Sequence, residues 1–197
     1  MNFDTWATEI AEQMERKGHG FDPTDRWRSA ALLSLVSTEI VEAAQEIKRH
    51  SLSQPSLVAG ELADALIRLG HFAGVAGVRF AIDDRFVGLL GFNDLGDQQR
   101  SEDPHPARGD FWYMLNESMC LLDGMVGLHS YWQNFAWSHD PGGREPERFG
   151  VGLRRVVIEL CVFARNYGLD IDKAMQERIA YNETRPKGYN LATGQMT

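Results

Sequence analysis

The stretch GELADALIRLGHFAG, residues 60–74, predicts a helix with one polar face. Its apolar side chains recur every three or four residues, as they do on a helix that packs one face against a core. The polar side chains form one stripe, which contains Glu61, Asp64, Arg68 and His71. Because residues three apart lie on the same side of a helix, the two carboxylates should point in one direction. Charged groups among apolar neighbours are costly unless water, a basic partner or a metal ion compensates them.

A second acidic pair lies on the preceding segment, STEIVEAAQE (37–46), where Glu39 and Glu42 are also three residues apart. Residues 25–49 are predicted to form one long helix, and residues 56–77 the next. Because only a short segment separates them, the two helices should pack as an antiparallel hairpin. The hairpin would bring the two acidic pairs face to face.

The rest of the chain also has helical periodicity. No segment shows a sustained period-two alternation of β-branched residues, so the predicted fold class is all-α, a helical bundle without a sheet. Two polar segments rich in Asp, Pro and Gly, at 93–110 and 138–147, are predicted to be a linker and a loop. Asp170 is predicted to cap the last helix. The further predicted helices cover residues 3–17, 80–91, 111–136, 149–168 and 171–184.

The two halves of the chain resemble each other. With a shift of 91 residues, LIRLGHFAGVAGV (66–78) aligns with VIELCVFARNYGL (157–169), and with a shift of 78 residues Glu39 aligns with Glu117. Any two amphipathic helices could align to a similar degree, and we favour a degenerate tandem repeat, an intrachain pseudo-dimer. The predicted units within one compact domain are a first repeat at 1–92, a linker at 93–110 and a second repeat at 111–197.

The two copies differ at the acidic positions. Glu61 aligns with Gly152, and Asp64 aligns with Arg155. If the repeat is real, only the first copy keeps a complete acidic set. We therefore expect one site per chain.

The acidic composition argues against some partners. The net charge of −8 disfavours binding to a nucleic-acid polymer, because that affinity depends on Lys and Arg. Charges interrupt every apolar run before it reaches the length of a membrane span, and the N-terminus lacks the pattern of a signal peptide. Cys120 and Cys161 are isolated cysteines, which favours buried thiols in a reducing compartment. We therefore expect a cytoplasmic protein without a nucleic-acid or membrane partner.

Four carboxylates that face one another repel unless they are solvated or neutralised. Oxygen ligands suit a hard ion such as Mg²⁺ or Mn²⁺, and such an ion can activate water and neutralise phosphoryl charge. The alternative is that both acidic pairs lie on solvated helix faces. A di-iron centre of the ferritin type would need Glu-x-x-His pairs, and neither acidic helix carries one. Spacing alone leaves the metal site and the solvated faces open.

The acidic motif resembles the signature of the all-α nucleoside triphosphate pyrophosphatases. It reads Glu39-Ile-Val-Glu42, eighteen further residues, then Glu61-Leu-Ala-Asp64, in the family's order of Glu-x-x-Glu and Glu-x-x-Asp. The end of the chain, GLDIDKAMQERIAYNETRPKGY (168–189), resembles the family's closing helix, with a basic residue, then Tyr-Asn, then Arg-Pro. This superfamily includes the MazG-like proteins, the dimeric dUTPases and the phosphoribosyl-ATP pyrophosphatases. The resemblance covers roughly residues 25–78 and 158–189.

The resemblance implies hydrolysis of an NTP or dNTP to the monophosphate and pyrophosphate, by a metal-bound water that attacks the α-phosphorus. The implied catalytic and metal-binding residues are Glu39, Glu42, Glu61 and Asp64, with Mg²⁺ as the cofactor and Mn²⁺ as a substitute. The implied substrate-binding residues are Arg178, Asn182, Arg185 and Lys187 for the phosphates and Trp27 for the base. Family members pair identical chains, so the resemblance also implies a homo-oligomer, a dimer. The alternative function is a non-catalytic MazG-like module that binds a nucleotide or a partner protein.

Overall fold

The computed structural model describes residues 3–22, 25–50, 53–79, 91–99, 111–137, 145–185, 189–190 and 195–196. Most of these residues are helical, which confirms the all-α class. The helices are α1 (Phe3–Arg16), α2 (Arg26–His50), α3 (Pro55–Ala76), α4 (Phe92–Gln99), α5 (Phe111–Trp137), α6 (Glu145–Asn166) and α7 (Ile171–Thr184). A two-residue antiparallel pair, which the sequence did not predict, joins β1 (Tyr189–Asn190) to β2 (Gln195–Met196). Among the described helices, none has both the length and the apolar character of a membrane span.

Helices α2 and α3 form the predicted hairpin and pack against each other along most of their length. The buried side chains of both helices recur every three or four residues, so each helix has one apolar face. These side chains are Leu33, Val36, Ile40, Ala43 and Ile47 on α2 and Leu62, Leu66, Leu69 and Phe72 on α3. Burial of each of the larger ones stabilises the fold by about 1.5–3 kcal/mol. The acids of the two helices lie at the polar edge of this core.

Helix α1 packs across α3 where glycines remove the side chains that would separate the two helices. A Cβ at Gly70 would lie 2.6 Å from the indole Cη2 of Trp6. A Cβ at Gly74 would collide with the backbone oxygen of Ala7. Both positions therefore need glycine, and the contact holds the C-terminal turn of α1 near the acidic pairs.

The linker predicted at 93–110 begins with a helix instead. Helix α4 packs on α6, and Gly96 allows the close contact, because a Cβ there would lie 2.5 Å from the carbonyl oxygen of Cys161. Helix α6 begins at Glu145, inside the loop predicted at 138–147. The rest of both predicted segments, residues 100–110 and 138–144, lies outside the described residues. The same holds for residues 80–90 of the helix predicted at 80–91.

The N-terminus of α4 is capped by a side chain of α7. The carboxylate of Asp172 accepts hydrogen bonds from the backbone N–H groups of Phe92 at 2.8 Å and Asn93 at 3.0 Å. Asp170 accepts from the N–H of Lys173 at 3.1 Å, which confirms it as the cap of α7. The partners of the α4 cap are 80 residues apart in the chain. A local pattern does not reveal such a cap, and this is why the segment resembles a loop in the sequence.

The C-terminal end of α7 is fixed to α1. Glu183 accepts a hydrogen bond of 2.7 Å from the side-chain amide of Gln13. The ammonium of Lys17 donates to the backbone oxygen of Glu183, and to that of Arg185 at 3.2 Å. With both ends of α7 held, the middle of the helix crosses α3 beside the acids.

Candidate metal centre

Four helices contribute to a cleft of about 210 Å³ at the polar edge of the hairpin. Helices α2 and α3 supply its acids, the end of the chain supplies basic and amide groups, and α1 supplies one apolar side chain. The lining residues are Met14, Glu39, Glu42, Glu61, Asp64, Ile67, Arg68, Arg178, Asn182 and Arg185. All four acids of the predicted motif therefore line one cleft.

Three of these acids are placed as the ligands of one ion would be. Glu39, Glu61 and Asp64 each present a carboxylate oxygen, and these oxygens all lie within 4.8 Å of one another. Two oxygens bound to one Mg²⁺ at about 2.1 Å each are at most about 4.2 Å apart, so a small contraction would suffice. Among the residues that the structure describes, no other such group of acidic, His or Cys side chains occurs. The all-oxygen donor set suits Mg²⁺ or Mn²⁺.

Arginines compensate these carboxylates in the structure. Glu39 is 5% exposed, and its Oε1 accepts a hydrogen bond of 2.7 Å from Nε of Arg68, whose Nη2 contacts the same oxygen. Arg178 reaches both acids of α3: its Nη2 is 3.5 Å from Oε1 of Glu61, and its Nε is 3.2 Å from Oδ2 of Asp64. The interpretation of both acidic pairs as solvated helix faces is therefore wrong for Glu39, which is buried and ion-paired.

Burial and mutual repulsion favour the protonated forms of this cluster. Burial raises the pKa of Glu61 to about 7, against the opposing charge of Arg178, and the neighbouring carboxylates add to the rise. Burial also raises the pKa of Asp64, again against Arg178, and that of Glu42, where Glu39 adds to the rise. A divalent ion would favour the ionised form of each carboxylate. A cation and protons would therefore compete for this site.

Gly60 makes room for Arg178 beside the acids. A Cβ at position 60 would lie 2.8 Å from Nη2 of Arg178 and 3.1 Å from its Nε. A side chain there would push the guanidinium away from its present position. The glycine is thus part of the site, although the sequence shows it only as an interruption of an apolar pattern.

Three of the predicted phosphate-binding residues line the cleft. Arg178 and Asn182 are one turn apart on α7, as their spacing predicts, and Arg185 follows at the end of the helix. The guanidinium of Arg185 lies 4.4 Å from the ring centre of Tyr181, a cation–π contact that helps to fix its direction. Lys187 lies outside the described residues.

Trp27 does not line the cleft. It lies in the first turn of α2 and is 80% exposed. Twelve residues along the chain separate it from Glu39, which corresponds to about 18 Å along a helix. The apolar side chains at the cleft are those of Met14 and Ile67. A stacking role for Trp27 stays a prediction.

Three lining residues, Met14, Ile67 and Arg68, were given no role in the sequence analysis. For Arg68 a signal was present, because it lies four residues after Asp64 and seven after Glu61, on the same helix face. For Met14 there was none, because α1 reaches the cleft only through its packing on α3.

The aligned positions of the second half form no comparable cluster in the described part of the chain. Glu117, which aligns with Glu39, accepts a hydrogen bond from the hydroxyl of Tyr167. Arg155, which aligns with Asp64, is exposed and pairs with Glu159 at 2.7 Å on its own helix. The acids that could hold an ion thus come from α2 and α3.

Comparison with known protein families, with curated proteins and with solved structures finds no match to this chain. The resemblance of its motifs to the all-α nucleoside triphosphate pyrophosphatases stays a prediction. The features that bear on function are therefore the cleft itself, its acids and the arginines that face them.

Proposed function

We propose that the cleft is the active site of a Mg²⁺-dependent nucleoside triphosphate pyrophosphohydrolase, which converts an NTP or dNTP to the monophosphate and pyrophosphate. The observation that carries this proposal is the group of three carboxylate oxygens within 4.8 Å of one another, in a cleft that Arg178 and Asn182 also line. Such a reaction needs acids that bind a hard ion and hydrogen-bond donors that bind a phosphate chain. The same residues belong to the motifs that resemble the pyrophosphatases.

The acids and the α7 donors of the cleft each have a role in this proposal. Glu39, Glu61 and Asp64 would hold Mg²⁺ or Mn²⁺, which would supply positive charge to the phosphate oxygens and lower the pKa of a bound water. Glu42 would either complete the ligand set or accept the proton of the attacking water. The donors of α7 would orient the phosphate chain. The water oxygen bonds to the α-phosphorus while the bond to the bridging oxygen breaks, and pyrophosphate leaves.

We also propose that the scaffold is a degenerate tandem repeat. Helix α1 packs on α3, and α4 packs on α6, in the same order along the chain. Gly70 and Gly74, which contact α1, align with Cys161 and Arg165, and both of these contact Gly96 of α4. In this proposal the second half supports the hairpin through α5 and leaves one active site per chain. Assembly into a homodimer and a cytoplasmic location stay predictions.

The test is product analysis with matched variants. The protein is incubated with each common NTP and dNTP and Mg²⁺, and the products are separated by ion exchange. We expect monophosphate and pyrophosphate, lost with a chelator and reduced at least about a hundredfold in Glu61→Gln, because an amide lacks the charge that holds the ion. Glu46→Gln, which removes an α2 acid that pairs with Arg49 outside the cleft, should keep the wild-type rate. A wild-type rate of turnover by Glu61→Gln would show that Glu61 has no role in the reaction.

A non-catalytic nucleotide-binding module is the second candidate. Arg68 and Arg178 pair with the acids, and a cluster neutralised in this way needs no ion. Such a module would bind a nucleotide as tightly with a chelator as with Mg²⁺, and it would release no pyrophosphate. Release of pyrophosphate would exclude it.

A further inference from the structure

Arg178 can reach two sets of partners in the same cleft. Its Nη2 lies 3.5 Å from Glu61, and its Nε lies 3.2 Å from Asp64. It also lines the cleft beside Asn182 and Arg185, where an anion would meet it. We infer that Arg178 is a conditional phosphate ligand, which pairs with the acids of α3 when no metal is bound and turns to a phosphate chain when a metal ion takes those acids. The inference rests on the proposed metal site.

Arg68 provides an internal comparison. Its two contacts go to one oxygen of Glu39, and the two side chains are 13% and 6% exposed. Arg178 instead divides two longer contacts between two carboxylates, and its side chain is 28% exposed. A long, divided and partly exposed ion pair costs little to break, whereas a short buried pair costs much more. Arg178 is therefore the arginine that can exchange its partners, and Arg68 is the one that stays.

A bound metal ion would make the cleft positive. The lining contains four carboxylates and three guanidinium groups, which leaves one negative charge when all are ionised. One divalent ion on the ionised acids would convert this to one positive charge, which attracts an anion. Because linkage between two ligands is reciprocal, the phosphate chain must strengthen metal binding by the same factor. The ligand class that fits is a metal-bound polyphosphate, and a free anion does not fit.

The first arm of the test measures Mn²⁺ binding without any anion, by the electron paramagnetic resonance of free Mn²⁺. Arg178→Gln should bind Mn²⁺ about tenfold more tightly than the wild type, because the competing guanidinium is gone. Arg68→Gln should not tighten the binding, since Glu39 loses the partner that orients it. Arg155→Gln removes the same charge from an exposed pair on α6 and should leave the affinity unchanged.

The second arm measures binding of methylenediphosphonate, a non-hydrolysable diphosphate, by calorimetry. The wild type should bind it at least about tenfold more tightly when saturated with Mn²⁺ than with a chelator. Arg178→Gln should lose most of that factor. Arg178→Lys keeps the charge without the planar fork and should retain part of it. The lysine variant also replaces the glutamine variant if circular dichroism shows that the latter is not folded.

Three results would overturn the exchange. The first is Mn²⁺ binding by Arg178→Gln that is no tighter than in the wild type. The second is equal tightening in Arg155→Gln, which would mean that only the total charge matters. The third is diphosphonate binding that does not depend on Mn²⁺. If neither the wild type nor any variant binds Mn²⁺, the proposed metal site is refuted as well. If turnover and Mn²⁺ binding are present but unchanged by substitution of Arg178, only the exchange of partners is refuted.

Discussion

Glu39 connects the hydrophobic core to the cleft. Its neighbour Ile40 is completely buried, and Glu39 itself is 5% exposed. A carboxylate is tolerated there because Arg68 donates to it. Removal of one partner of such a buried pair leaves an uncompensated charge and typically costs about 3–5 kcal/mol. At the scale of single residues, the ion pair with Arg68 therefore fixes the position of Glu39 before any ligand binds.

His71 should make the stability of the fold depend on pH. Its side chain is buried, its ring meets that of Phe21 edge-on at 5.4 Å, and no described residue hydrogen-bonds to its Nε2. Burial, and then the charges of His19 and Arg68, lower its pKa from 6.5 to about 4. Between these two values the unfolded chain binds a proton that the folded chain does not. Stability therefore falls as the pH drops from 6.5 to 4, by up to about 3 kcal/mol.

The measurement is urea denaturation of the wild type and of His71→Leu at pH 7 and at pH 4.5. The comparison of the two proteins removes the contribution of the other titrating groups. We expect the wild type to lose stability relative to the variant at the lower pH, because leucine cannot bind the proton. A difference in unfolding free energy that is the same at both pH values would contradict this role for His71.

At the scale of the helices, the position of the Arg178 side chain of α7 beside α3 depends on Gly60. Gly60→Ala should weaken the binding of methylenediphosphonate in the presence of Mn²⁺ without destabilising the fold. The added Cβ would displace only the flexible end of Arg178, 2.8 Å away, while alanine favours a helix by about 1 kcal/mol over glycine. Gly127→Ala on α5, where an added Cβ meets nothing within 4 Å, is the control for helix propensity. Unchanged diphosphonate affinity in Gly60→Ala would contradict the prediction.

Helix α4 depends on the cap that α7 provides. Asp172→Ala leaves the N–H groups of Phe92 and Asn93 without their acceptor and should lower the free energy of unfolding by about 1–2 kcal/mol. Asp123→Ala removes an exposed aspartate of α5 and should change it by less than about 0.5 kcal/mol. Chemical denaturation of the two variants compares them directly. Equal changes in the free energy of unfolding of the two variants would mean that the cap does not stabilise the fold.

The sequence predicts the helices that carry long apolar faces. It does not predict α4, which is short and has no such face. Helices α2 and α3 follow from their periodicity, and their hairpin follows from the short connection between them. This is sufficient to bring Glu39 and Glu61 together. Helix α4 has eight residues, and the cap at its start comes from Asp172. Contacts between distant parts of the chain leave no local pattern, and the same reason explains why Met14 was not foreseen at the cleft.

At the scale of the whole molecule, we propose that the chain consists of two similar halves and that only the first supplies the acids of an active site. The first half supplies the acids, and α7 from the end of the chain supplies the donors. In the second half Glu117 bonds to Tyr167 and Arg155 pairs with Glu159, so these positions take part in the packing or the surface of the fold. The proposed single active site therefore lies between the first half and the last helix.

Hydrolysis in water enriched in ¹⁸O tests the central claim most directly. An NTP or dNTP that the protein cleaves is incubated with Mg²⁺, and the position of the label is read by mass spectrometry. The account predicts that the ¹⁸O enters the nucleoside monophosphate, because the water attacks the α-phosphorus, and that a chelator stops the reaction. Label in the pyrophosphate, release of orthophosphate, turnover that survives chelation, or no turnover of any nucleotide would contradict it.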